Sequence, residues 1–285
     1  MEINDKEKGE IQHYATRNDG NVSEFYNKIG WKTIGSITED ARRWEDLREF
    51  AQDYVKKCRL RVLRHIPPKG DYILDMGSGP IQYPEYLEYS VNYKRRYCVD
   101  FSLEAIESAK KKIGEHGVFL QGNFEDIKLD KKFFDCSISL HTIYHIDEDV
   151  QENVVRKLLY VTKPGKPVII VYSNPNTIIH YVKFPLHILR RLINYNQGVK
   201  NDIRKQELYF YAHPLGWWDR FRGVADVMIL PWRSFSAKQQ KCLVHGNRIG
   251  KALLNKLFDM EDRFPNFFVR YFQYPMIILR KVKAD

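Results

Sequence analysis

The sequence predicts an α/β fold, a parallel sheet flanked by helices, and three observations carry that prediction. The first is Tyr72-Ile73-Leu74-Asp75-Met76-Gly77-Ser78-Gly79-Pro80, a short apolar run ending in Asp-x-Gly-x-Gly. The run reads as a buried strand. The glycines read as a tight turn where backbone takes unusual dihedrals or lies against a ligand. The second is Tyr97-Cys98-Val99-Asp100-Phe101-Ser102, another apolar run ending in an acid, 25 residues after Asp75. The third is the alternation of strand-like and helical stretches from residue 72 to about Asn174. Such folds bind nucleotides at the carboxyl ends of their strands.

Each further element follows from its residues. Residues 1–20 are polar and are expected to be poorly ordered without ligand. Ser23–Ile29 predicts a short helix ending at Gly30. Ser36-Ile37-Thr38-Glu39 fits a capping box. From there Ile37, Ala41, Trp44, Leu47, Ala51, Tyr54, Val55, Cys58 and Val62 recur at helical spacing, which predicts one amphipathic helix to about Arg64. Pro67-Pro68-Lys69-Gly70 stops it. Pro80 suits the first turn of the helix after the glycines, where a missing N–H costs nothing. Ser102 is placed to cap a helix over Leu103–Lys112. Past Asn174 the alternation ends, and the aromatic and basic stretch 176–215 reads as a cap inserted over the sheet. Trp217–Phe221 predicts a short helix, Ala225–Leu230 a sixth strand, Ala237–Met260 a helical stretch and Pro275–Arg280 a last strand. The division is therefore 1–66 for an N-terminal lid and helices, 67–175 for the core, 176–215 for the cap and 216–285 for the rest of the core.

Composition narrows the partners. No apolar stretch reaches the roughly 18 residues of a membrane span, and no signal peptide opens the chain. Cys58, Cys98, Cys136 and Cys242 lie far apart without CxxC spacing, as expected of reduced cysteines in a cytoplasmic protein. Net charge is +10, and residues 181–285 carry +11 of it against −1 for the rest. Such a basic third is either a solvated face or a surface for an anionic substrate, a membrane or nucleic acid.

The glycine turn chooses between cofactors. A dinucleotide fingerprint would put its third glycine where this chain has Gln82. An acid two residues ahead of Gly77 instead resembles motif I of the class I S-adenosylmethionine (SAM)-dependent methyltransferases, whose usual form has another glycine at the place of Ile81. Four more segments resemble that family in its order. They are Tyr97–Ser102, Val118–Asp126, Phe133–His141 and Val161–Ile170. The resemblance implies a Rossmann-like, seven-stranded methyltransferase sheet with its last strand antiparallel between strands five and six. It also implies SAM as cofactor, S-adenosylhomocysteine as product and a small-molecule acceptor such as a sugar, aromatic or natural-product intermediate.

The family's roles fall on named residues. Gly77 and Gly79 would let backbone approach the methionine and ribose. Asp75 would orient the turn or the methionine amine, and Asp100 would take the ribose hydroxyls. Asn123 would bond adenine, with Phe101 and Phe124 packing beside it or belonging to the core. Leu140, and Tyr26 of a lid that also carries Trp31, complete the cofactor candidates. His141, His145 and His213 are the candidate bases, because imidazole exchanges protons near neutral pH. His145 falls where many relatives carry a histidine that only bonds backbone. Tyr144, Tyr209, Tyr211 and Trp217 are candidates for the acceptor pocket or for the cap's own core. No metal is expected, since the His141/His145 pair lacks the Glu of HExxH and a third ligand.

Rival functions remain at this stage. A nucleic-acid methyltransferase fits the charge. However, the segment after strand four lacks the Asn/Asp-Pro-Pro-aromatic motif, and no Pro-Cys nucleophile exists. A membrane-lipid or quinone methyltransferase would use Ile178–Ile193, with Lys183, Arg190 and Arg191, as an interfacial element in peripheral membrane contact. A catalytically inactive SAM-binding partner protein is the last alternative. Oligomeric state is left open.

Overall fold

The computed structural model describes residues 10–14, 25–31, 33–34, 37–178, 209–246 and 248–282. Strand β1 (Ile11–His13) opens the chain, and a π-helical turn follows at Tyr26–Gly30. A two-residue hairpin, β2 (Thr33–Ile34) and β3 (Ile37–Thr38), leads into helix α1 (Glu39–Trp44). Helix α2 (Glu49–Leu60) precedes β4 (Gly70–Met76). The single helix expected to Arg64 is thus two helices with a corner between them. Asp46 makes the corner, because its carboxylate accepts from Arg48 Nε at 2.8 Å and from Gln240 Nε2 at 2.8 Å. Thr38, not Ser36, caps α1, accepting from Ala41 N at 3.2 Å; Ser36 lies outside the described residues.

Beyond β4, Pro80 does not open the helix that its place after the glycines predicts. The helix after the turn, α3 (Pro84–Leu87), is one turn long and carries Pro84 at its start, while Pro80 stays in the loop. Next are β5 (Tyr93–Asp100), α4 (Leu103–Ile113), β6 (Gly117–Gln121), β7 (Cys136–Leu140), α5 (Glu148–Val161) and β8 (Pro167–Val171). Ser102 caps α4 as expected, accepting from Ala105 N at 3.3 Å. Residues 179–208 of the expected cap lie outside the described residues. The chain continues through a 3₁₀ turn (Leu215–Phe221), β9 (Ala225–Arg233), α6 (Ala237–Leu243), α7 (Arg248–Arg263), α8 (Pro265–Tyr271) and β10 (Tyr274–Lys281).

Strands run in the order β1-β6-β5-β4-β7-β8-β10-β9. The expected seven strands are present, parallel except for β10, which pairs antiparallel with both β8 and β9. An eighth strand corrects the count. β1 adds to the β6 edge from within a stretch expected to be poorly ordered.

Side chains alternate between the sheet's two faces, as strand geometry requires. Leu74, Val168, Ile170, Ile277 and Leu279 pack into one apolar layer, with α5 and Trp217, Trp218 and Phe221. Ile73, Ile169, Val171, Met276 and Ile278 pack into the other, with α2 and α7. Both layers end at the carboxyl edge of β4, β5 and β7, where the candidate site lies. Among the described residues no helix is long and apolar enough to cross a membrane. Cys58, Cys98 and Cys136 are buried free thiols, and Cys242 is an exposed one.

Candidate active site

The turn after β4 is built as its glycines suggest. Gly77 has φ +69° and Gly79 φ +53°, the left-handed region that glycine enters without steric cost. A Cβ on Gly77 would lie 2.3 Å from Thr142 Oγ1, so this turn sits against the segment after β7. Ile81 also takes φ +49°, at the place where the family's pattern has glycine. A branched residue there is strained. Its side chain is fully buried against Cys98, Ile106, Ala109 and Phe119, which holds it in place.

Two acids meet the turn from different sides. Asp75 is buried and ion-paired with Arg96 of β5, whose Nε lies 3.1 Å from its Oδ2. That pairing leaves Asp75 bracing the turn from beneath. Asp100 ends β5 with Oδ2 accepting from Gly79 N at 2.9 Å and Oδ1 from Ser102 N at 2.9 Å. Burial raises its carboxyl to about 6 against the pull of these two amides.

Over the turn lies the N-terminal segment. Trp31 approaches so closely that a Cβ on Gly79 would come within 3.1 Å of its ring. Tyr26 stacks on Trp31 at 4.9 Å and meets Phe101 edge-on at 6.2 Å. Asn123 and Phe124 follow β6 and are buried, Phe124 within the core layer under Lys157. Lys157 Nζ donates to the carbonyls of Phe124, Glu125 and Ile127 and so fixes this loop.

The segment after β7 holds the histidines apart. His141, just beyond Leu140, takes φ +60° while its N–H donates to Val171 O at 3.0 Å. Its Nδ1 lies 2.9 Å from the Tyr144 hydroxyl, and its ring meets Trp232 at 4.6 Å and Tyr274 at 5.2 Å. It is set deep among protein atoms yet keeps some accessible surface. Burial, helped by nearby Arg233, pushes its pKa down to about 3, so the imidazole is neutral at physiological pH. His145 bonds the Tyr209 carbonyl through Nδ1 at 2.8 Å, the backbone role the family's pattern implied. His213 stacks flat on Trp217 at 4.4 Å, and its N–H donates to the Tyr172 hydroxyl at 3.0 Å. The ring neighbours of His213 and His141 are different, so the structure does not bring these two together. Trp217 is core, whereas Tyr209 and Tyr211 are exposed and tie the 209–214 strand of chain to Glu148 N and Tyr144 O.

Several residues at the site carry no local sequence signal. Arg233 of β9 reaches Glu45 at 2.8 Å, and Arg59 of α2 bridges Glu45 at 3.3 Å to Glu85 at 3.2 Å. The Arg59 guanidinium also lies 3.3 Å above the Tyr83 ring. These four ions are buried and balance one another, so the network ties the α1–α2 corner to β9 and α3. Asp40 of α1 faces the Tyr26 hydroxyl and the Gln82 amide, the latter at 3.5 Å. Gln82 also donates to Thr38 Oγ1. Glu45 and Arg233 are 188 residues apart in sequence, and no spacing rule links them.

The cradle fits an extended ligand carrying a sugar and cationic groups. It has two left-handed glycines, two deep acids beside the lid, and a buried Trp31 indole N–H that has no partner among the described residues. Comparisons with known proteins agree. Residues 74–170 match the family profile described as a methyltransferase domain. No curated protein matches the sequence. Among solved structures, the DhpI–SAH complex superposes with TM-score 0.54 at 14% identity, over 93% of this chain and 97% of that one. A Haloferax volcanii methyltransferase complex with the Trm112 methyltransferase activator gives TM-score 0.51 at 15% identity, covering 82% and 92%. A SAM-dependent methyltransferase from Archaeoglobus fulgidus gives 0.50 at 13%, covering 81% and 94%. With its glycine turn, its β5 acid and its antiparallel strand between β8 and β9, the chain has the fold of the class I SAM-dependent methyltransferases, and residues 74–170 match a methyltransferase domain.

Proposed function

We propose that this methyltransferase acts on a small-molecule acceptor held between the lid and the ends of β7, β9 and β10. The observation that carries the reading is the packing of the N-terminal segment over the glycine turn, close to a cluster of ring side chains. His141, Tyr144 and Tyr274 lie together beneath a lid whose Tyr26 and Trp31 already rest on the glycine turn. A long polymer would need an open groove, and this arrangement favours an acceptor that the lid can enclose. Bound SAM would supply a methyl group activated by its sulfonium.

The chain's own residues then bind, orient and exclude water. Asp100 and the Gly79 amide would hold the ribose, and Phe101 with Tyr26 would flank the adenine. The neutral His141 imidazole, oriented by the Tyr144 hydroxyl, would accept a hydrogen bond from the acceptor and fix it in line with the methyl. Such positioning contributes as much as about 7–11 kcal/mol in well-oriented intramolecular reactions. A pKa pushed this low suits orientation better than net proton removal.

Calorimetric titration with SAM and S-adenosylhomocysteine, with NADH as control, tests the cofactor half. Micromolar binding of both adenosyl ligands is expected, and its loss in Gly79→Arg, where the new side chain meets Trp31. A folded protein that binds neither would overturn it. An acceptor screen in the presence of SAM tests the rest.

One observation favours a lipid-facing acceptor as a second reading. Ile249, Leu253 and Met260 form an exposed stripe on α7 that continues into Phe264 and Phe267, beside Lys256 and Arg263. Apolar side chains edged by cations suit an anionic bilayer surface. Co-flotation with phosphatidylserine vesicles, lost in Leu253→Glu, supports that reading, and no flotation removes it.

A further inference from the structure

Three acids near the cleft are ion-paired, and two, Asp100 and Asp40, have only neutral donors among the described residues. Asp75 meets Arg96, Glu45 meets Arg59 and Arg233, Glu85 meets Arg59, and Asp100 accepts two backbone amides. Asp40 makes no ion pair with any described residue. Arg43, one turn along its own helix, is turned to Glu39 at 2.7 Å. The groups facing Asp40 are the Tyr26 hydroxyl from the lid, the Gln82 amide from the loop after the glycines, and Glu45, Tyr83 and Tyr144 at longer electrostatic range. The one cation within electrostatic reach is Arg43, and its guanidinium is bonded to Glu39 rather than to Asp40.

A deep carboxylate without a cation is costly to the free protein, and a ligand that brings the missing charge relieves that cost. Burial holds the Asp40 carboxyl up, to about 6, against the pull of Gln82, Tyr26 and Arg43. The acid nonetheless keeps some accessible surface, through which a ligand can reach it.

We propose that Asp40, with Tyr26 and Gln82, forms a binding site for an ammonium group of a ligand in this cleft. An ammonium has three N–H donors to share among a carboxylate and two neutral oxygens, whereas a sulfonium has none to give. Tyr26 lies within electrostatic reach of both Asp40 and Asp100. Asp100 in turn holds the N–H of Gly79, three residues before Gln82. The two acids thus bracket one turn and one lid residue. They match the sugar and amine ends of a single molecule, or of a cofactor and an amine acceptor side by side. The site rests on the methyltransferase reading only where the ammonium is the cofactor's own.

Asp40→Asn is nearly isosteric and tests the site. In calorimetry the wild type should bind S-adenosylhomocysteine, which carries the ammonium, at least tenfold more tightly than 5′-methylthioadenosine, which lacks it. If the cofactor supplies the ammonium, Asp40→Asn collapses that ratio and leaves methylthioadenosine affinity unchanged. If the acceptor supplies it, the ratio survives. In that case the variant, saturated with S-adenosylhomocysteine, loses the preference of the wild type for tyramine over its alcohol counterpart tyrosol. The free variant should melt at a higher temperature than wild type at pH 7.5, since an uncompensated charge is gone. Equal loss for all ligands, or no loss for any, overturns the proposal. Failure of the wild type to bind either adenosyl ligand defeats the cofactor assignment instead.

Discussion

Ile81 shows what a single residue can carry. Its left-handed backbone costs about 1–2 kcal/mol, which glycine would not incur. Its buried side chain returns more than that, since removing such a chain costs about 2–5 kcal/mol. Alanine normally outranks glycine in a folded chain. Here the order should reverse, with Ile81→Gly more stable than Ile81→Ala by about 1 kcal/mol in urea denaturation. The usual order would mean that φ relaxes in solution.

His141 gives a second prediction at this scale. Its folded pKa is depressed to about 3, while a free imidazole protonates near 6.5. Between those values the unfolded chain binds the extra proton, so this contribution is complete above about pH 6.5 and is lost as pH falls, by at most about 1.4 kcal/mol per pH unit. Asp40 and Asp100, both raised, act with opposite sign between about pH 4 and 6. The melting temperature of His141→Asn should therefore fall less steeply from pH 6.5 to 5 than that of wild type. Equal slopes would mean that the imidazole titrates freely. The left-handed glycine turn and the acid closing β5 were legible as structure because a turn and a strand end are local events in sequence. Asp40 was not, because an acid in the first turn of a helix is ordinary and only its missing partner sets it apart.

At the level of elements, strands were read better than helices. Apolar runs bounded by turns mark β4, β5 and β10 directly, whereas the α1–α2 corner keeps helical spacing on both sides and hides the break at Asp46. Long-range ion pairs fix how the helices sit. Arg61, just past α2, bonds Glu261 of α7 at 2.6 Å and the carbonyls of Trp232 and Phe258 at 2.8 and 3.0 Å. Glu261 also accepts from Tyr54 at 2.7 Å and from Ser234. Arg61→Met should cost about 3–5 kcal/mol, the penalty of leaving a buried carboxylate unpaired. The double variant Arg61→Met with Glu261→Gln should recover part of it in thermal denaturation. Additive losses would show that the pair contributes through packing alone.

For the whole molecule, two apolar layers and the sheet order follow from period-two alternation and family order, so the architecture could be read in advance. The pocket could not. Its candidate residues come from α1, β7, β9 and β10, and Glu45 meets Arg233 only because the α1–α2 corner packs against β9. The position of β10 has a consequence for how the molecule is made. Among the described residues β9 pairs only with β10, and β10 also covers β8. Of the sheet's strands, β10 is therefore synthesised last and occupies an interior place. Until it emerges from the ribosome, β8 presents a bare edge and β9 hangs unattached, both open to wrong pairing. A chain cut short before residue 274 would lose the wall holding Trp232 and Arg233, although every motif that names the family would already be present.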